Sequence, residues 1–370
     1  MNIIWFTWKD LTHPNAGGAE VVNEEIAKRL VKDGHNVTLL VGGYENCKNE
    51  ETINGYKVIR SGNKLTTYYS SYKHFKHKLQ NWADVIIEEV NTIPYFTQYY
   101  TKAKRVLIIH QLARAVWFYE MKFPLNIIGY ILESIYVRLL NKNKVITISS
   151  STKNDLKKVG FIDNNIDIIS MGTDIKPVLT LDNLEKFSEP TIISLGRITS
   201  MKKTIDQVKA FEIAKEEIPN LKLKIAGFGN DKYFDNVKTY ISQSKYSNDI
   251  EYLGKITKNE KTELMRKSHL ITVTSIKEGW GLIVTEAASQ GTPSIVYDID
   301  GLRDSVKHNI TGIITKENNY HVLSQNIVKL LNDTKLYNEF QENGWEWSKK
   351  VTFEQCYKDF IEILKEKIIE

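Results

Sequence analysis

The sequence predicts an α/β protein made of two doubly wound halves, each a parallel sheet with helical crossovers. Short apolar runs of strand length alternate with longer segments whose apolar residues recur at helical spacing. The alternation starts again near residue 190, after a segment that contains Pro177. A chain of 370 residues is also too long for one ordinary core. We therefore expect two domains of similar size.

The first half opens with the predicted strand NIIWFTW, then a helix in GGAEVVNEEIAKRLVKDGH that stops at Gly34, then the strand NVTLLVG. Further strands are expected at YKVIRS, ADVIIEEV and RVLIIH. An amphipathic region from Ala115 to Leu140 and a strand at KVITIS follow. These elements make up a predicted amino-terminal domain at residues 1–172.

The second half repeats this order. Its predicted strands are PTIISLGR, LKLKIAGFG, IEYLGK, HLITVTS and PSIVYD, with a helix across TIDQVKAFEIAKEEI and an apolar helix before PSIVYD. We assign residues 173–189 to a linker and residues 190–350 to a carboxy-terminal domain. A last helix within residues 351–370 is expected to cross back to the amino-terminal domain.

Composition excludes several classes of protein. The apolar fraction of 42% and the charged fraction of 26% are typical of a soluble globular protein. A formal net charge of +5 gives no general affinity for nucleic acids, so we expect no nucleic-acid partner. Cys47 and Cys356 are expected to be free thiols, which together with the lack of a signal peptide predicts a cytoplasmic protein. No apolar run reaches the length of a membrane-spanning helix.

Glycines precede the first predicted helix, at a place where open parallel sheets bind ligands, beyond the carboxyl end of a strand. HPNAGGAEVVNEE puts Gly17 and Gly18 where backbone N–H groups can approach a phosphate or a sugar. Taken alone, the motif fits a tight turn without a ligand equally well. It is not the dinucleotide fingerprint, because Gly-x-Gly-x-x-Gly is absent.

Two cations follow another predicted strand, in SLGRITSMKK. Arg197 and Lys202 beside a glycine turn suit a diphosphate, because Arg presents a fork of donors and Lys a point charge. For an isolated pair in a lysine-rich protein, a solvated basic loop is the alternative.

Two glutamates flank a glycine-rich turn in KEGWGLIVTEAASQG. Glu278 precedes Gly279, Trp280 and Gly281, and Glu286 falls in the apolar helix that follows, where a buried carboxylate needs a partner. Glu286 could accept hydrogen bonds from a ribose diol, and Glu278 from the hydroxyls of a sugar. The alternative is a helix cap for Glu278 and a solvated position for Glu286.

In their order along the chain, these motifs resemble the retaining glycosyltransferase family 4, or glycosyl transferases group 1, of the GT-B fold. The resemblance extends from the first strand to the closing segment WSKKVTFEQCYKDFIEIL. The residues that carry it are Gly17, Gly18, Ala19, Glu20, Gly196, Arg197, Lys202, Glu278, Glu286 and the following SQGTPSI. It implies two Rossmann-like domains facing a central cleft, with the acceptor bound by the first and a nucleoside-diphosphate sugar by the second.

The resemblance also implies a role for each donor-site residue. Glu286 would bind the ribose of the nucleotide sugar, and Glu278 would contact hydroxyls of the transferred sugar. Arg197 and Lys202 would hold the diphosphate. The expected donor site is completed by Gly17, Gly18, Gly227, Gly279, Trp280, Gly281 and Leu282.

The implied chemistry is transfer of a hexose-type sugar, UDP- or GDP-linked, with retention at the anomeric carbon and with neither metal nor cofactor. His110, at the end of RVLIIH, would lie near the reacting sugar, and Gly18 would donate backbone hydrogen bonds to the diphosphate. No side chain is an obvious general base, and the leaving phosphate would take the acceptor's proton. Asp298 and Asp300 in YDIDG have the Asp-x-Asp spacing of a different, metal-dependent fold, and we expect no metal there.

The acceptor side is predicted from a basic, aromatic segment. No acidic residue occurs from Lys57 to Trp82, which suits anionic headgroups or a lipid diphosphate, although an ordinary solvated helix is the alternative. The predicted acceptor or membrane residues are Tyr68, Tyr69, Lys73, Lys76, Lys78 and Trp117. The apolar region from Ala115 to Leu140 is expected to form either core or an acceptor groove. We therefore expect an enzyme that extends a lipid-linked or cell-envelope glycan and lies peripherally on the inner membrane face.

Two other functions remain open at this point. A GT-B epimerase would act on a nucleotide sugar without an acceptor, but it needs acid and base carboxylates that the motifs do not supply. A non-catalytic subunit of the same fold is disfavoured by the intact Arg197, Lys202, Glu278 and Glu286. The missing dinucleotide fingerprint disfavours an oxidoreductase.

Overall fold

The structure, a computed structural model, describes residues 1–63 and 66–369, without the side chains of Glu120 and Ile369. The chain divides into two compact units. Unit 1 comprises Met1–Gly172 and the carboxy-terminal residues from Phe353 onward, and unit 2 comprises Thr173–Thr352.

Unit 1 contains an eight-stranded sheet. Its strands are β1 (Asn2–Phe6), β2 (Asn36–Val41), β3 (Glu50–Ile53), β4 (Tyr56–Arg60), β5 (Val85–Glu89), β6 (Lys104–Ile108), β7 (Val145–Thr147) and β8 (Ile166–Ile168). They are ordered β3-β4-β2-β1-β5-β6-β7-β8, and every neighbouring pair is parallel except the β3–β4 hairpin. The central strands β1, β2 and β5 are almost wholly buried, as expected where helices cover both faces of a parallel sheet.

Helices connect these strands and cover the sheet. They are α1 (Gly18–Lys32), α2 (Thr67–His74), α3 (Val116–Glu120), α4 (Leu125–Leu140) and α5 (Ser150–Lys158), and a π-helical turn, Phe75–Leu79, continues α2. The α1 helix follows the predicted pattern and buries Val22, Ile26 and Leu30 at helical spacing.

Unit 2 is a six-stranded sheet in which every neighbouring pair is parallel. Its strands are β9 (Thr191–Leu195), β10 (Lys222–Ala226), β11 (Ile250–Gly254), β12 (Leu270–Val273), β13 (Ser294–Val296) and β14 (Gly312–Ile314). Its helices are α6 (Thr204–Glu217), α7 (Lys232–Gln243), α8 (Lys258–Lys267), α9 (Leu282–Ser289), α10 (Leu302–Ser305), α11 (Tyr320–Asn332) and α12 (Thr334–Ser348). The strand order is β11-β10-β9-β12-β13-β14, so the order reverses between β9 and β12. The predicted fold class of two doubly wound parallel-sheet α/β halves is therefore confirmed.

The last helix, α13 (Phe353–Leu364), packs on unit 1. Its Phe360 ring stacks on Trp5 of β1, with centroids 6.3 Å apart and planes 2° from parallel. Asp359 accepts a hydrogen bond from the backbone N–H of Ser170 at 2.8 Å, and Glu354 pairs with Arg29 at the same distance. These contacts bind the end of the chain to its first strand, its first helix and the segment after β8.

Residues 173–189, predicted as a linker, are instead part of unit 2. Trp345 on α12 donates its indole N–H to the Val178 carbonyl at 2.9 Å. The Lys186 ammonium donates to the carbonyls of Ser268 and Gly291, each at 2.8 Å, and to the Thr292 hydroxyl at 3.1 Å. Burial lowers the pKa of Lys186 to about 7. The sequence could not show this, because every partner lies at least 82 residues away along the chain.

Replacing Lys186 with Met should lower the free energy of unfolding by roughly 1 to 3 kcal/mol, because the carbonyls of Ser268 and Gly291 would lose a buried donor. Urea unfolding measures the change. Lys176→Met is the matched control, since Lys176 lies exposed in the same segment and should change stability by less than about 0.5 kcal/mol. Equal effects of both substitutions would show that the Lys186 contacts do not hold the segment.

Candidate functional site

The predicted donor-site residues of unit 2 gather at the carboxyl ends of β9, β10 and β12. Arg197 and Lys202 follow β9, Gly227 follows β10, and Glu278 follows β12. The β9 and β12 strands are neighbours, and the strand order reverses between them. In open parallel sheets this reversal opens a crevice between two loops, and ligands bind there.

Lys202 and Glu278 meet at this reversal as an ion pair. The Lys202 ammonium contacts Glu278 Oε1, which also accepts a hydrogen bond from Ser275 Oγ at 2.6 Å. Thr274 Oγ1 donates to the Lys202 carbonyl at 2.7 Å and so ties the loop after β9 to the loop after β12. The two residues that the resemblance assigned to separate parts of the donor therefore contact each other directly.

Arg197 lies exposed on the loop after β9, and two glycines shape its surroundings. Gly196 has a φ of +133°, and Gly227 packs against its backbone so closely that a Cβ on Gly227 would lie 1.8 Å from the Gly196 carbonyl oxygen. Tyr252 donates its hydroxyl hydrogen to the Gly227 carbonyl at 2.9 Å. Gly227 therefore positions the Arg197 loop, and a larger residue there would displace it.

Glu286 on α9 is only 8% exposed, and Lys261 on α8 neutralises it. The Lys261 ammonium donates to both carboxylate oxygens, at 3.0 and 2.9 Å. The sequence indicated that a buried carboxylate here needs a partner, but it did not identify Lys261, because two separate helices bring the pair together.

The glycine-rich turn between the two glutamates has a backbone conformation and close contacts that require glycine. Gly281 has a φ of +88° and immediately precedes α9, and a Cβ there would lie 2.6 Å from Leu302. The Trp280 indole N–H donates to Thr285 Oγ1 at 3.2 Å, which folds the side chain over the first turn of the helix. Gly301, which the sequence analysis missed, lets its loop approach Glu278, since a Cβ would meet the Glu278 carbonyl oxygen at 2.3 Å. The other two predicted positions, Gly279 and Leu282, are half-buried in the same turn.

The two aspartates of YDIDG are engaged by basic side chains. Arg303 pairs with Asp298 at 2.5 Å and with Asp300 at 2.8 Å, and Lys277 pairs with Asp300 at 2.8 Å. Within residues 1–63 and 66–369, no group of three or more His, Cys, Asp or Glu side chains is placed to hold a metal ion.

The glycine turn of unit 1 is closed by a glutamate and a lysine. Glu20 Oε2 accepts the backbone N–H of Gly17 at 2.6 Å, and Gly18 is the first residue of α1. Lys9, which the sequence analysis did not identify, pairs with Glu20 Oε1 at 3.2 Å and donates to the Asn15 carbonyl at 2.8 Å. The turn therefore brings a cation next to the start of the helix.

His110 follows β6 and lies beside a carboxylate that the sequence analysis also missed. Its Nε2 is 3.6 Å from Oε1 of Glu89, the last residue of β5. Glu89 is almost wholly buried, and burial raises the pKa of its carboxyl group above the ordinary value. A pair of titratable groups therefore lies at the carboxyl ends of two neighbouring strands.

Three of the six predicted acceptor residues lie around one basic pocket. Tyr69, which is 69% exposed, and the exposed Lys73 and Lys78 line a pocket of about 610 Å³. The rest of its lining is Ser61, Ser70, His74 and His77. Lys76 lies on the π-helical turn that also carries Lys78, but it is partly buried and does not line the pocket.

Two further predicted acceptor residues, Tyr68 and Trp117, are half-buried and pack against neighbouring residues. The Tyr68 ring packs on Tyr95 with centroids 4.8 Å apart, and burial raises the pKa of Tyr68 to about 12. The Trp117 ring lies against Gly129 of α4, and its indole N–H donates to Glu133 at 3.1 Å. The sequence could not show these contacts, because periodicity does not identify which neighbour meets each face of a helix.

The region from Ala115 to Leu140 is not mainly core. Gly129, Glu133, Tyr136, Val137 and Leu140 form the buried side of α4. The opposite side is apolar and exposed, and we call it the α3–α4 apolar surface: Phe118, Tyr119, Phe123, Leu125, Ile127, Ile128, Tyr130, Ile131, Leu132, Ile135 and Leu139. Among the helices of the described residues, none is both long enough and apolar enough to cross a bilayer.

Comparison with known proteins gives matches along most of the chain. The description "Glycosyltransferase Family 4" matches residues 16–176 and "Glycosyl transferases group 1" matches residues 182–347. A poly(glycerol-phosphate) alpha-glucosyltransferase of Bacillus subtilis is 35% identical over 159 residues, which are 43% of this chain and 23% of that protein. An uncharacterized glycosyltransferase of Haemophilus influenzae is 23% identical over 356 residues, covering 95% of this chain and 97% of the relative. The crystal structure of Anabaena Alr3699/HepE in complex with UDP-glucose superposes with a TM-score of 0.75 at 18% identity, covering 99% of each chain.

The Lys261–Glu286 pair can be tested by a double-mutant cycle. Lys261→Met should lower the free energy of unfolding by roughly 1 to 3 kcal/mol, because it leaves a buried carboxylate unpaired. Adding Glu286→Gln should recover most of that loss. Lys258→Met is the control: Lys258 lies on the same helix as Lys261 and forms a half-exposed ion pair with Asp174. Its replacement should lower the free energy of unfolding by less than about 1 kcal/mol. Additive effects of the two substitutions in urea unfolding would contradict a direct interaction.

Proposed function

Because the chain belongs to the group 1 glycosyl transferases, of the GT-B fold, we propose that it transfers a hexose-type sugar from a nucleoside-diphosphate sugar to an acceptor hydroxyl. We propose further that the anomeric configuration is retained and that no metal takes part. The observation that carries the proposal is the Lys202–Glu278 ion pair at the strand-order reversal of unit 2, on the loops that also carry Arg197 and Gly281.

The ion pair suits the bond that must break. Cleavage of the bond from sugar to diphosphate leaves negative charge on the leaving group and positive charge on the sugar ring. The Lys202 ammonium has three donors, so it can keep Glu278 and still donate to a phosphate oxygen. Glu278 keeps Oε2 for the sugar hydroxyls. The pair thus presents opposite charges to the two ends of the breaking bond, and this stabilisation grows as the charges develop.

The remaining residues would orient the donor. Both oxygens of Glu286 accept hydrogen bonds from Lys261 and retain lone pairs for a ribose diol. Arg197 adds a fork of donors on the loop after β9, suited to a diphosphate. The acceptor's proton would pass to the leaving phosphate, so the proposal assigns no general base.

The acceptor is proposed to be a lipid-linked or cell-envelope glycan, and the protein to act at an anionic membrane surface on the cytoplasmic side. The α3–α4 apolar surface supports this, because its eleven large apolar side chains are all exposed within residues 118–139, and clustered exposed apolar side chains often mark a contact with a membrane or a partner. The one carboxylate of α4, Glu133, points inward to the backbone N–H groups of Ala113 and Arg114. Together with the cations of the basic pocket, this leaves an apolar surface and positive charge on unit 1, which favour anionic lipid.

The donor is tested first by thermal shift with UDP, GDP, dTDP, CMP and NAD. One nucleoside diphosphate at a hundred times its dissociation constant should stabilise the protein by about 2.7 kcal/mol, a rise of a few degrees in Tm. Arg197→Ala should reduce the shift, and with the sugar donor it should lower the transfer rate about a hundredfold. Arg266→Ala, an exposed arginine on α8, is the control. A shift with NAD alone would overturn the transferase proposal, and conversion of the donor sugar without an acceptor would indicate an epimerase.

The membrane proposal predicts that flotation with phosphatidylglycerol-containing vesicles depends on the α3–α4 apolar surface. The combined variant Phe123→Ser, Ile131→Ser, Leu132→Ser should bind about 100-fold more weakly, because three apolar side chains no longer enter the lipid. Leu179→Ser in unit 2 is the matched control, because that leucine is 98% exposed and outside the surface. Equal binding by both proteins, or binding independent of anionic lipid, would contradict the proposal.

A further inference from the structure

Two consecutive carboxylates, Glu88 and Glu89, end β5, and their environments differ. Successive residues of a strand point to opposite faces of the sheet, so the two side chains enter different parts of the core. Both are almost wholly buried, and burial raises the pKa of each carboxyl group. What separates them is how completely their oxygens are hydrogen-bonded.

Glu88 is fully satisfied by the turn that follows its strand. Oε1 accepts the backbone N–H of Phe96 at 2.9 Å, and Oε2 accepts the backbone N–H and the hydroxyl of Thr97, at 3.0 and 2.5 Å. Phe96 has a φ of +57°, a conformation that costs a non-glycine residue free energy and that Glu88 helps to hold. Glu88 is therefore a structural carboxylate.

Glu89 is only half satisfied. Oε2 accepts hydrogen bonds from Asn23 Nδ2 at 2.6 Å and from the Thr7 hydroxyl. Oε1 has no hydrogen-bond partner among the described residues, and neither ring nitrogen of His110 has one. His110 Nε2 is the facing group, 3.6 Å away, which is beyond hydrogen-bond distance. Buried polar atoms without partners are rare and costly, so each such group requires an explanation.

The position of Glu89 in the sheet explains why one of its oxygens is left without a hydrogen bond. The sheet order of unit 1 reverses between β1 and β5, and Thr7 follows β1 while Glu89 ends β5. Glu89 therefore lies at the strand-order reversal of unit 1, as the Lys202–Glu278 pair does in unit 2. The charged groups that face it are His110 after β6 and Glu20 on α1, whose own carboxylate pairs with Lys9.

We propose that Glu89 is a positioning residue for His110, accepting a hydrogen bond from Nε2–H so that Nδ1 is left to accept one from a sugar hydroxyl. A neutral imidazole has one donor and one acceptor nitrogen, and a carboxylate beside Nε2 selects the tautomer with hydrogen there. The ring has only to move by about 0.6 Å for the 3.6 Å separation to become a hydrogen bond. The role of His110 toward the sugar rests on the proposed function, whereas its tautomer does not.

The direct test is a ¹⁵N NMR measurement of the His110 tautomer in the substrate-free protein, with the signal assigned by comparison with His110→Gln. The wild type should carry its proton on Nε2 near neutral pH. Glu89→Gln should shift the proton to Nδ1, because the amide can donate to Nε2. A wild-type ring protonated on Nδ1 at neutral pH would overturn the proposal even if the variant failed to fold.

Kinetic measurements distinguish a role of Glu89 in positioning His110 from a role in stability, and Glu88→Gln is the matched control. Glu89→Gln should lower kcat by about 10- to 100-fold with little change in KM for the donor, and should move the acidic limb of the kcat profile. Glu88→Gln should lower Tm but leave both the kcat of the folded enzyme and its pH profile unchanged. Equal kinetic effects of the two variants would show that Glu89 is merely structural. If the protein transfers no sugar but the tautomer still responds to Glu89, the proposed function fails and the positioning does not.

Discussion

Parallel strands end at one edge of a sheet, and both units are arranged around this constraint. Their strand orders reverse beside the first strand of each sheet, β1 in unit 1 and β9 in unit 2. Loops leave each reversal in opposite directions and open a crevice there. The glycine turn with Lys9 follows β1, Glu89 ends β5, Arg197 and Lys202 follow β9, and Glu278 follows β12, so all of them lie at the strands that flank a reversal. The fold thus determines where chemistry can occur before any side chain is considered.

Carboxylates are the second common feature, and each is held by a partner from another element. Glu278 meets Lys202, Glu286 meets Lys261, and Glu20 meets Lys9. Each pair places a lysine ammonium against a buried or half-buried carboxylate, and the attraction between opposite charges offsets part of the cost of removing both groups from water. The exception is Glu89, whose Oε1 faces a histidine without bonding to it. Paired carboxylates suit fixed contacts with a substrate, and the incompletely satisfied one suits a group that adjusts when substrate binds.

Unit 1 also divides its surface by polarity. The α4 helix turns its carboxylate and its smallest residue, Gly129, toward the core and exposes leucines and isoleucines. The glycine is required because Trp117 occupies the space that a side chain would take. The α4 helix therefore has a packed, buried side and, opposite to it, an exposed side that is apolar.

The sequence by itself determined the fold class, the family resemblance and the loops that carry Arg197, Lys202, Glu278 and Glu286, because hydrophobic periodicity and short motifs are local properties of the chain. It also showed that Glu286 needs a partner. Only the tertiary structure decided which partner, Lys261, and paired Lys202 with Glu278. It also brought Glu89 to His110, packed Tyr68 on Tyr95 and Trp117 on Gly129, and left one side of α4 exposed. These outcomes depend on contacts between residues that are distant in sequence. Hydrophobic periodicity predicts that a helix has an apolar face, but it does not identify what packs against that face.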